Sequence, residues 1–136
     1  MPKEGKEAPG VLFMCVHNAG RSQMAAGLLK HLIGNKVKVF SAGSKPGNEL
    51  NSAAVEAMGE IGIDISQNIP TQFNESLMEE VDIVITMGCG DTCPILPGKN
   101  YLDWQLDDPA SQKIEKVREI RDQIENKVRL LTEEIL

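Results

Sequence analysis

Long apolar runs and positive charge are both scarce in this sequence of 136 residues, and each shortage excludes a class of protein. No apolar run approaches the roughly 18 residues that a membrane-spanning helix needs. The N-terminal segment Met1–Pro9 is polar and lacks the apolar stretch of a signal peptide. The net charge of −6 argues against binding to nucleic acid or to a membrane surface. We therefore expect a cytoplasmic protein, with a flexible tail over residues 1–9 and one domain over residues 10–136.

Cysteine and histidine are too few, and wrongly spaced, for a zinc site. The three cysteines are Cys15, Cys89 and Cys93, and Cys89 and Cys93 have no second pair of cysteines or histidines to complete a ligand set. We therefore predict no metal site. Because thiols stay reduced in the cytoplasm, an odd number of cysteines indicates catalytic thiols rather than structural disulfides.

What the sequence does contain is an alternation of strand and helix patterns in an ordinary composition, 41% hydrophobic and 25% charged. Continuous apolar runs predict buried strands, and apolar residues at steps of three and four predict helices. The predicted elements are a strand over Val11–Met14, a helix over Ser22–Ile33, a strand near a sheet edge over Lys36–Ala42, a helix from Asn51 or Ser52 to Ile61, a short helix over Phe73–Glu80, a strand over Val81–Met87, a loop over Gly88–Asn100, a short segment over Tyr101–Trp104 and a helix over Ile114–Ile135.

This alternation predicts a three-layer α/β domain, in which a four-stranded, mostly parallel sheet has helices on both faces. Ligands of such domains bind at the carboxyl ends of the strands. Cys15 ends the first predicted strand and Cys89 follows the third. Both thiol regions are therefore expected on the same rim of the sheet.

The most informative stretch lies between the first strand and the first helix, where Cys15 and Arg21 stand six positions apart. A loop at this place can form a cup of backbone N–H groups at a helix N-terminus, and tetrahedral oxyanions bind such cups. The same field favours a nucleophilic thiolate at Cys15 over the thiol. Arg21 is predicted to hold two oxygens of the ion. The predicted oxyanion-binding residues are Val16, His17, Asn18, Ala19, Gly20, Arg21 and Ser22.

Three polar side chains of this segment have more than one interpretation. Ser22 can donate its hydroxyl to the thiolate, cap the helix, or do both. Asn18 can lock the loop through its side chain or simply adopt a left-handed backbone conformation. His17 is expected to point away from the cup and to act as a loop residue rather than as a base.

Two further sites lie downstream. Asp107-Asp108-Pro109 precedes the last helix, where a carboxyl group could protonate a leaving oxygen, although Asp before Pro is also a common turn signal. Cys89 and Cys93 stand four positions apart in a glycine-containing loop and can reach disulfide geometry. We interpret them as a thiol relay beside Cys15, against the alternative that they are incidental.

The segment from Cys15 to Ala25 resembles the phosphate-binding loop of arsenate reductases built on the low-molecular-weight tyrosine phosphatase fold. The similarity spans nearly all of residues 10–135, and it continues through Ser41-Ala42-Gly43, Gly62-Ile63-Asp64-Ile65-Ser66, Val84-Ile85-Thr86-Met87-Gly88-Cys89 and Asp107-Asp108-Pro109. The resemblance implies reduction of arsenate to arsenite in arsenic detoxification. It implies that Cys15 attacks arsenic, that Arg21 holds the oxyanion and that Asp108 is the general acid.

The resemblance also implies an external reductant and no bound cofactor. In thioredoxin-linked members a second cysteine attacks the arsenic adduct and a third resolves the disulfide, and Cys89 and Cys93 match those places. Their spacing is shorter than the best-known spacing in the family, and similar sequences use the small thiol mycothiol instead. Ala26 stands where potassium-binding members carry a glutamate, which argues against a potassium site. We expect a monomer whose partners are arsenate and thioredoxin.

Two other functions remain open. The same cup hydrolyses phosphoesters in tyrosine phosphatases, but those enzymes usually place aromatic residues after Asp-Pro, where this chain has Ala110-Ser111-Gln112. A phosphatase also has no use for Cys89 and Cys93. A non-catalytic arsenite-sensing or thiol-buffering protein could use the three cysteines as soft ligands, but it would leave Arg21 and Asp108 without a role.

Overall fold

A sheet of short parallel strands forms the centre of the domain. The structure, a computed structural model, describes residues 9–88 and 100–135. In this part of the chain the strands are β1 (Gly10–Cys15), β2 (Lys38–Gly43), β3 (Ile83–Thr86) and β4 (Asn100–Asp103). They form one sheet in the order β2-β1-β3-β4, and every neighbouring pair is parallel. The four-stranded parallel sheet is therefore confirmed, and so is the edge position of the second strand.

Three α-helices of the described residues share the larger core on one face of the sheet. They are α1 (Arg21–Ile33), α2 (Ser52–Glu60) and α3 (Ile114–Ile135). All six residues of β1 are buried, because its neighbours on both sides and the layers above and below cover it. Val11 and Phe13 point into the helical core, where α1 contributes Met24 and Leu28. The predicted apolar face of the last helix is confirmed by its buried residues Val117, Ile120, Ile124, Val128 and Leu131.

A smaller core on the opposite face contains Leu12, Met14 and Val84, with Phe73 and Leu77 packed against it. The helix predicted over Phe73–Glu80 is here a 3₁₀ helix over Glu75–Glu80. Its tighter turn has a local cause, since the Leu77 N–H donates to both the backbone and the side-chain oxygen of Asn74, three residues earlier.

The remaining differences from the predicted elements are at their ends. Helix α1 begins at Arg21, one residue before the predicted start. Strand β2 begins at Lys38 instead of Lys36, because Gly34–Lys36 continues from α1 as a 3₁₀ turn. Strand β3 covers Ile83–Thr86, the centre of the predicted run. Among the described helices, none is long and apolar enough to cross a membrane.

Candidate active site

The loop after β1 is held by the segment that follows β2. Its carbonyl groups accept hydrogen bonds of 2.8–3.3 Å from backbone N–H groups of residues 44–51. The donor and acceptor pairs are Ser44 to Cys15, Lys45 to Val16, Gly47 to His17 and Asn51 to Ala19. Because the C=O and N–H of a trans peptide point in opposite directions, the N–H groups of residues 16, 17, 18 and 20 face away from that segment. They are thus available on the side of the loop where the sequence predicts the oxyanion-binding cup.

The N-terminus of α1 adds a positive field to the cup. Gly20 is the N-cap residue and has no side chain to accept from the first helical N–H groups. The first turn contains no acidic residue, and its first residue is the cation Arg21. An uncapped helix start with a cation beside it favours a bound anion, which would satisfy the free N–H groups and offset the charge.

Cys15 lies at the base of this cup, with 2% of its surface exposed. Its sulfur is 3.0 Å from the hydroxyl oxygen of Ser22, a hydrogen-bond distance that fits the interpretation of Ser22 as a partner of the thiol. The side-chain nitrogen of Asn18 donates to the same hydroxyl at 2.7 Å. Asn18 also has a φ of 50°, so both interpretations of this residue hold.

Arg21 and Asp108 meet across the cup. The Arg21 guanidinium is almost buried, and its Nη2 lies 3.6 Å from Oδ2 of Asp108, whose side chain is 52% exposed. Nη1 donates to the Leu106 carbonyl at 3.4 Å. Pro109 packs so closely on Gly20 that a Cβ there would lie 2.7 Å from the proline ring. This contact places the Asp108 carboxyl group at the cup.

The neighbouring carboxyl group is engaged elsewhere. Asp107 forms an ion pair of 2.8 Å with Lys116, and the hydrogen bond from Lys116 lowers the pKa of Asp107 below its usual value. The ion pair directs the Asp107 carboxyl group to the last helix, whereas Asp108 lies at the cup with Arg21. Asp108 also accepts a hydrogen bond from the N–H of Ala110, so it acts in the turn as well as at the site.

These residues enclose a cavity of about 40 Å³. It is far smaller than the roughly 300–1,000 Å³ of a drug-sized ligand site, and its size suits a small ion. The ring nitrogen Nδ1 of His17 turns to the Lys45 carbonyl at 3.1 Å, as expected, although the exposed ring also borders the cavity. The cavity is lined by Cys15, His17, Ala19, Gly20, Arg21, Asn51, Asp108, Pro109 and Ala110.

The two distal cysteines, Cys89 and Cys93, lie outside the described residues, as does most of the loop predicted over Gly88–Asn100. Gly88 is described and contacts the site directly. Its φ is +89°, and a Cβ there would lie 2.1 Å from Nη1 of Arg21. Only a glycine leaves room for the guanidinium in this position.

Sequence reasoning missed a group of polar residues behind the cup, which includes Gln23, Asn68 and Thr71. Gln23 is 2% exposed and binds Asn18, while Asn68 and Thr71 come from a segment more than 40 positions later. The local signal was a third polar residue, after Arg21 and Ser22, in the first turn of a helix whose other buried residues are apolar. A second, outer cavity of about 300 Å³ borders this group, and its lining includes Ala26, whose side chain offers no oxygen ligand, and Lys30.

Comparison with known proteins agrees with this geometry. The family model of the low molecular weight phosphotyrosine protein phosphatases matches residues 10–136. An arsenate reductase of Halalkalibacterium halodurans is 37% identical over 133 residues, which cover 90% of this chain and 94% of that protein.

Two solved structures share the fold. A thioredoxin-dependent arsenate reductase of Corynebacterium glutamicum superposes with a TM-score of 0.84 at 45% identity, covering 98% of this chain but only 65% of that longer one. An arsenate reductase in its phosphate-binding state superposes with a TM-score of 0.82 at 34% identity, covering 94% of this chain and 99% of the other.

Proposed function

The chain belongs to the low molecular weight phosphotyrosine protein phosphatase family, and from this premise we propose that it is an arsenate reductase, which converts arsenate to arsenite. Relatives with that activity in their names match almost the whole chain and support the proposal. The observation that carries it is the position of the Cys15 sulfur. It lies 3.0 Å from the Ser22 hydroxyl, in a cavity of about 40 Å³ that Arg21 and Asp108 also line.

The first step needs only these residues and the substrate. The Cys15 thiolate attacks arsenic, so that a sulfur–arsenic bond forms and one arsenic–oxygen bond breaks. The leaving group is a hydroxyl of arsenate, which takes one proton from Asp108 and departs as water. Arg21 and the N–H groups of the cup hold the remaining oxygens through charge-assisted hydrogen bonds.

The second step transfers the electrons and is proposed from the cysteine pattern. The Cys89 thiolate attacks the Cys15 sulfur, a disulfide forms, and the electron pair of the sulfur–arsenic bond remains on arsenic, which leaves as arsenite. Cys93 then attacks Cys89, which frees Cys15 as a thiolate and leaves a Cys89–Cys93 disulfide. Thioredoxin reduces that disulfide with two electrons. The thioredoxin-dependent relative supports this donor. We further propose that the enzyme is a monomer and acts in the cytoplasm.

The decisive experiment supplies each electron donor separately. We expect arsenate-dependent turnover with thioredoxin, thioredoxin reductase and NADPH, and none with mycothiol and its redox partner. Cys15→Ser abolishes it, because no nucleophile is left. Cys89→Ser and Cys93→Ser each stop multiple turnovers with thioredoxin. Full turnover of both variants with mycothiol would replace the relay with a small-thiol mechanism.

A phosphatase is the second candidate, because the family model bears that name and the cup suits phosphate equally well. The small cavity argues against an aryl substrate, since Pro109 and Ala110 border it where a sandwich of aromatic rings would be needed. Hydrolysis of para-nitrophenyl phosphate measures this activity in the same preparation. Rapid hydrolysis without arsenate reduction would overturn the proposed function.

A further inference from the structure

A chain of buried hydrogen bonds runs from Gln23 to the thiol of Cys15. Gln23, Asn18 and Ser22 are all buried, with 2% of Gln23 exposed and nothing of the other two. A buried carboxamide is costly unless its hydrogen bonds are made, and here they are made. The Gln23 side-chain nitrogen donates to the Asn18 backbone oxygen at 3.2 Å and to its side-chain oxygen at 3.1 Å.

Two donors determine which way the Asn18 side chain faces. The Thr71 backbone N–H donates to Oδ1 of Asn18 at 2.8 Å, and a backbone N–H can only donate. The second donor at the same oxygen is Gln23, whose own oxygen accepts from Asn68 at 3.1 Å. The Asn18 nitrogen therefore faces Ser22 and donates to its hydroxyl oxygen at 2.7 Å.

The direction of the last hydrogen bond follows from the protonation state of Cys15. A serine hydroxyl has a single proton, and the Ser22 oxygen already accepts from Asn18. A Cys15 thiolate has no proton to give, so with the thiolate the contact of 3.0 Å is a hydrogen bond from the Ser22 hydroxyl to the sulfur. A donor aimed at this sulfur stabilises the thiolate more than the thiol.

We propose that Gln23 is a positioning residue for the nucleophile, which acts through Asn18 and Ser22 to keep a hydrogen-bond donor directed at the Cys15 sulfur. The inference rests on the proposed role of Cys15 but not on arsenate as the substrate. The other charged or titratable side chains that line the cavity with Cys15 are Arg21, Asp108 and His17, and substitutions at Gln23 leave all three in place.

The test uses a background protein that carries Cys89→Ser and Cys93→Ser, so that Cys15 is its single thiol. Iodoacetamide is the probe that alkylates this thiol. The rate of alkylation is measured against pH. Gln23→Met keeps the length of the side chain and removes its donor. We expect the midpoint of the alkylation profile to move to higher pH, and the rate at pH 7 to fall by about two- to tenfold, the factor that corresponds to one hydrogen bond.

Gln67→Met is the matched control, because Gln67 is exposed and borders the same outer cavity without joining the chain of hydrogen bonds. We expect its alkylation profile to equal that of the background protein. Asn68→Ala removes the hydrogen bond that the Gln23 side-chain oxygen accepts and leaves Gln23 itself in place. It should move the midpoint of the alkylation profile to higher pH by a smaller amount. It serves as the test if Gln23→Met does not fold.

Circular dichroism and thermal unfolding establish that each variant is folded. An unchanged profile in a folded Gln23→Met protein, or in Asn68→Ala if Gln23→Met does not fold, would overturn the inference. A purely structural role for Gln23 would lower the melting temperature without moving the alkylation midpoint. Because the assay contains no arsenate, a shifted profile in a protein that does not reduce arsenate would support the positioning role and contradict only the proposed function.

Discussion

The two halves of the candidate active site are built in different ways. Around the Cys15 sulfur, buried polar groups form consecutive hydrogen bonds of 2.7–3.2 Å. Around the proposed acid, the guanidinium of Arg21 and the carboxyl group of Asp108 are 3.6 Å apart, and half of the Asp108 side chain is exposed. The sulfur half is fixed by the fold, whereas the acid half is held loosely at the surface.

This difference is what the proposed chemistry requires. A nucleophile benefits from donors that are in place before the substrate arrives, because they need no reorganisation during the reaction. A proton donor must exchange its proton with solvent in every cycle, so partial exposure suits Asp108. The comparison therefore predicts that substitutions in the acid half reduce turnover without changing the reactivity of Cys15, and that substitutions in the sulfur half change both.

The largest effect is expected from Asp108→Asn, which removes the proposed acid and keeps its shape. We expect kcat for arsenate to fall by about 10²–10⁴-fold, the usual contribution of a general acid. The rate of Cys15 alkylation should not decrease. Asp107→Asn is the matched control, because its carboxyl group pairs with Lys116 outside the cup, and it should retain nearly full kcat. Equal losses in the two variants would contradict the assignment of Asp108.

Gly88→Ala tests how narrowly the guanidinium is placed. The added methyl group would lie 2.1 Å from Nη1 of Arg21, so the guanidinium must move, and the φ of +89° adds backbone strain. A displacement of this size can cost about 10²-fold in kcat/KM. We expect most of the loss in KM, because the oxyanion loses its main cation. The control is Gly59→Ala, where a Cβ meets no atom within 4 Å.

Ser22→Ala tests the opposite half. It removes the donor to Cys15 and leaves the Asn18 nitrogen without its acceptor. We expect about a tenfold loss in both the rate of alkylation at pH 7 and kcat, since one hydrogen bond to a charged sulfur is lost. A loss of kcat with unchanged alkylation would show that the hydroxyl acts on the substrate instead, and the contrast between the two halves would then disappear.

Much of the fold was predictable because its signals are local. The apolar run before Cys15 indicates a buried strand, and the spacing of apolar residues from Ile114 onward indicates the last helix. The meeting of Cys15 and Arg21 at one cavity was predictable for the same reason, since both lie within one short segment. The 3₁₀ helix differs from its prediction because a single side chain, that of Asn74, takes part in the turn that starts it.

What could not be predicted depends on contacts between distant parts of the chain. The spacing of Asp107 and Asp108 does not distinguish the two carboxyl groups, and the resemblance alone favoured Asp108. In the structure, Lys116 forms an ion pair with Asp107. Arg21, which lies far away in the sequence, approaches Asp108. Gly88 and Arg21 are in contact although they lie 67 positions apart in the sequence (88 − 21 = 67). No local sequence pattern predicts such a contact.

The smallest effect concerns a third polar cluster, which lies between α2 and α3, outside both halves of the site. Glu60 there accepts hydrogen bonds from Arg118 and Arg121. The hydrogen bond from Arg118 is the main cause, and that from Arg121 a further cause, of a pKa of Glu60 below its ordinary value near 4.5. A carboxyl group with a lowered pKa in the folded state stabilises the protein above the pKa of the unfolded chain. That contribution is lost as the pH falls through the folded value.

Glu60→Gln should therefore lower the free energy of unfolding at pH 7, and its difference from the wild-type protein should shrink as the pH falls below about 4.5. Urea unfolding at pH 7 and pH 3.5 measures this difference. Glu125→Gln is the control, because its pair with Arg129 lies on the surface of one helix, and its effect should be smaller at both pH values. Arsenate turnover at pH 7 should be unchanged in both variants, because the hydrogen bonds of Glu60 go to Arg118 and Arg121 and not to residues of the candidate active site. Reduced turnover of a folded Glu60→Gln protein would mean that the sulfur half depends on the packing of α2 against α3.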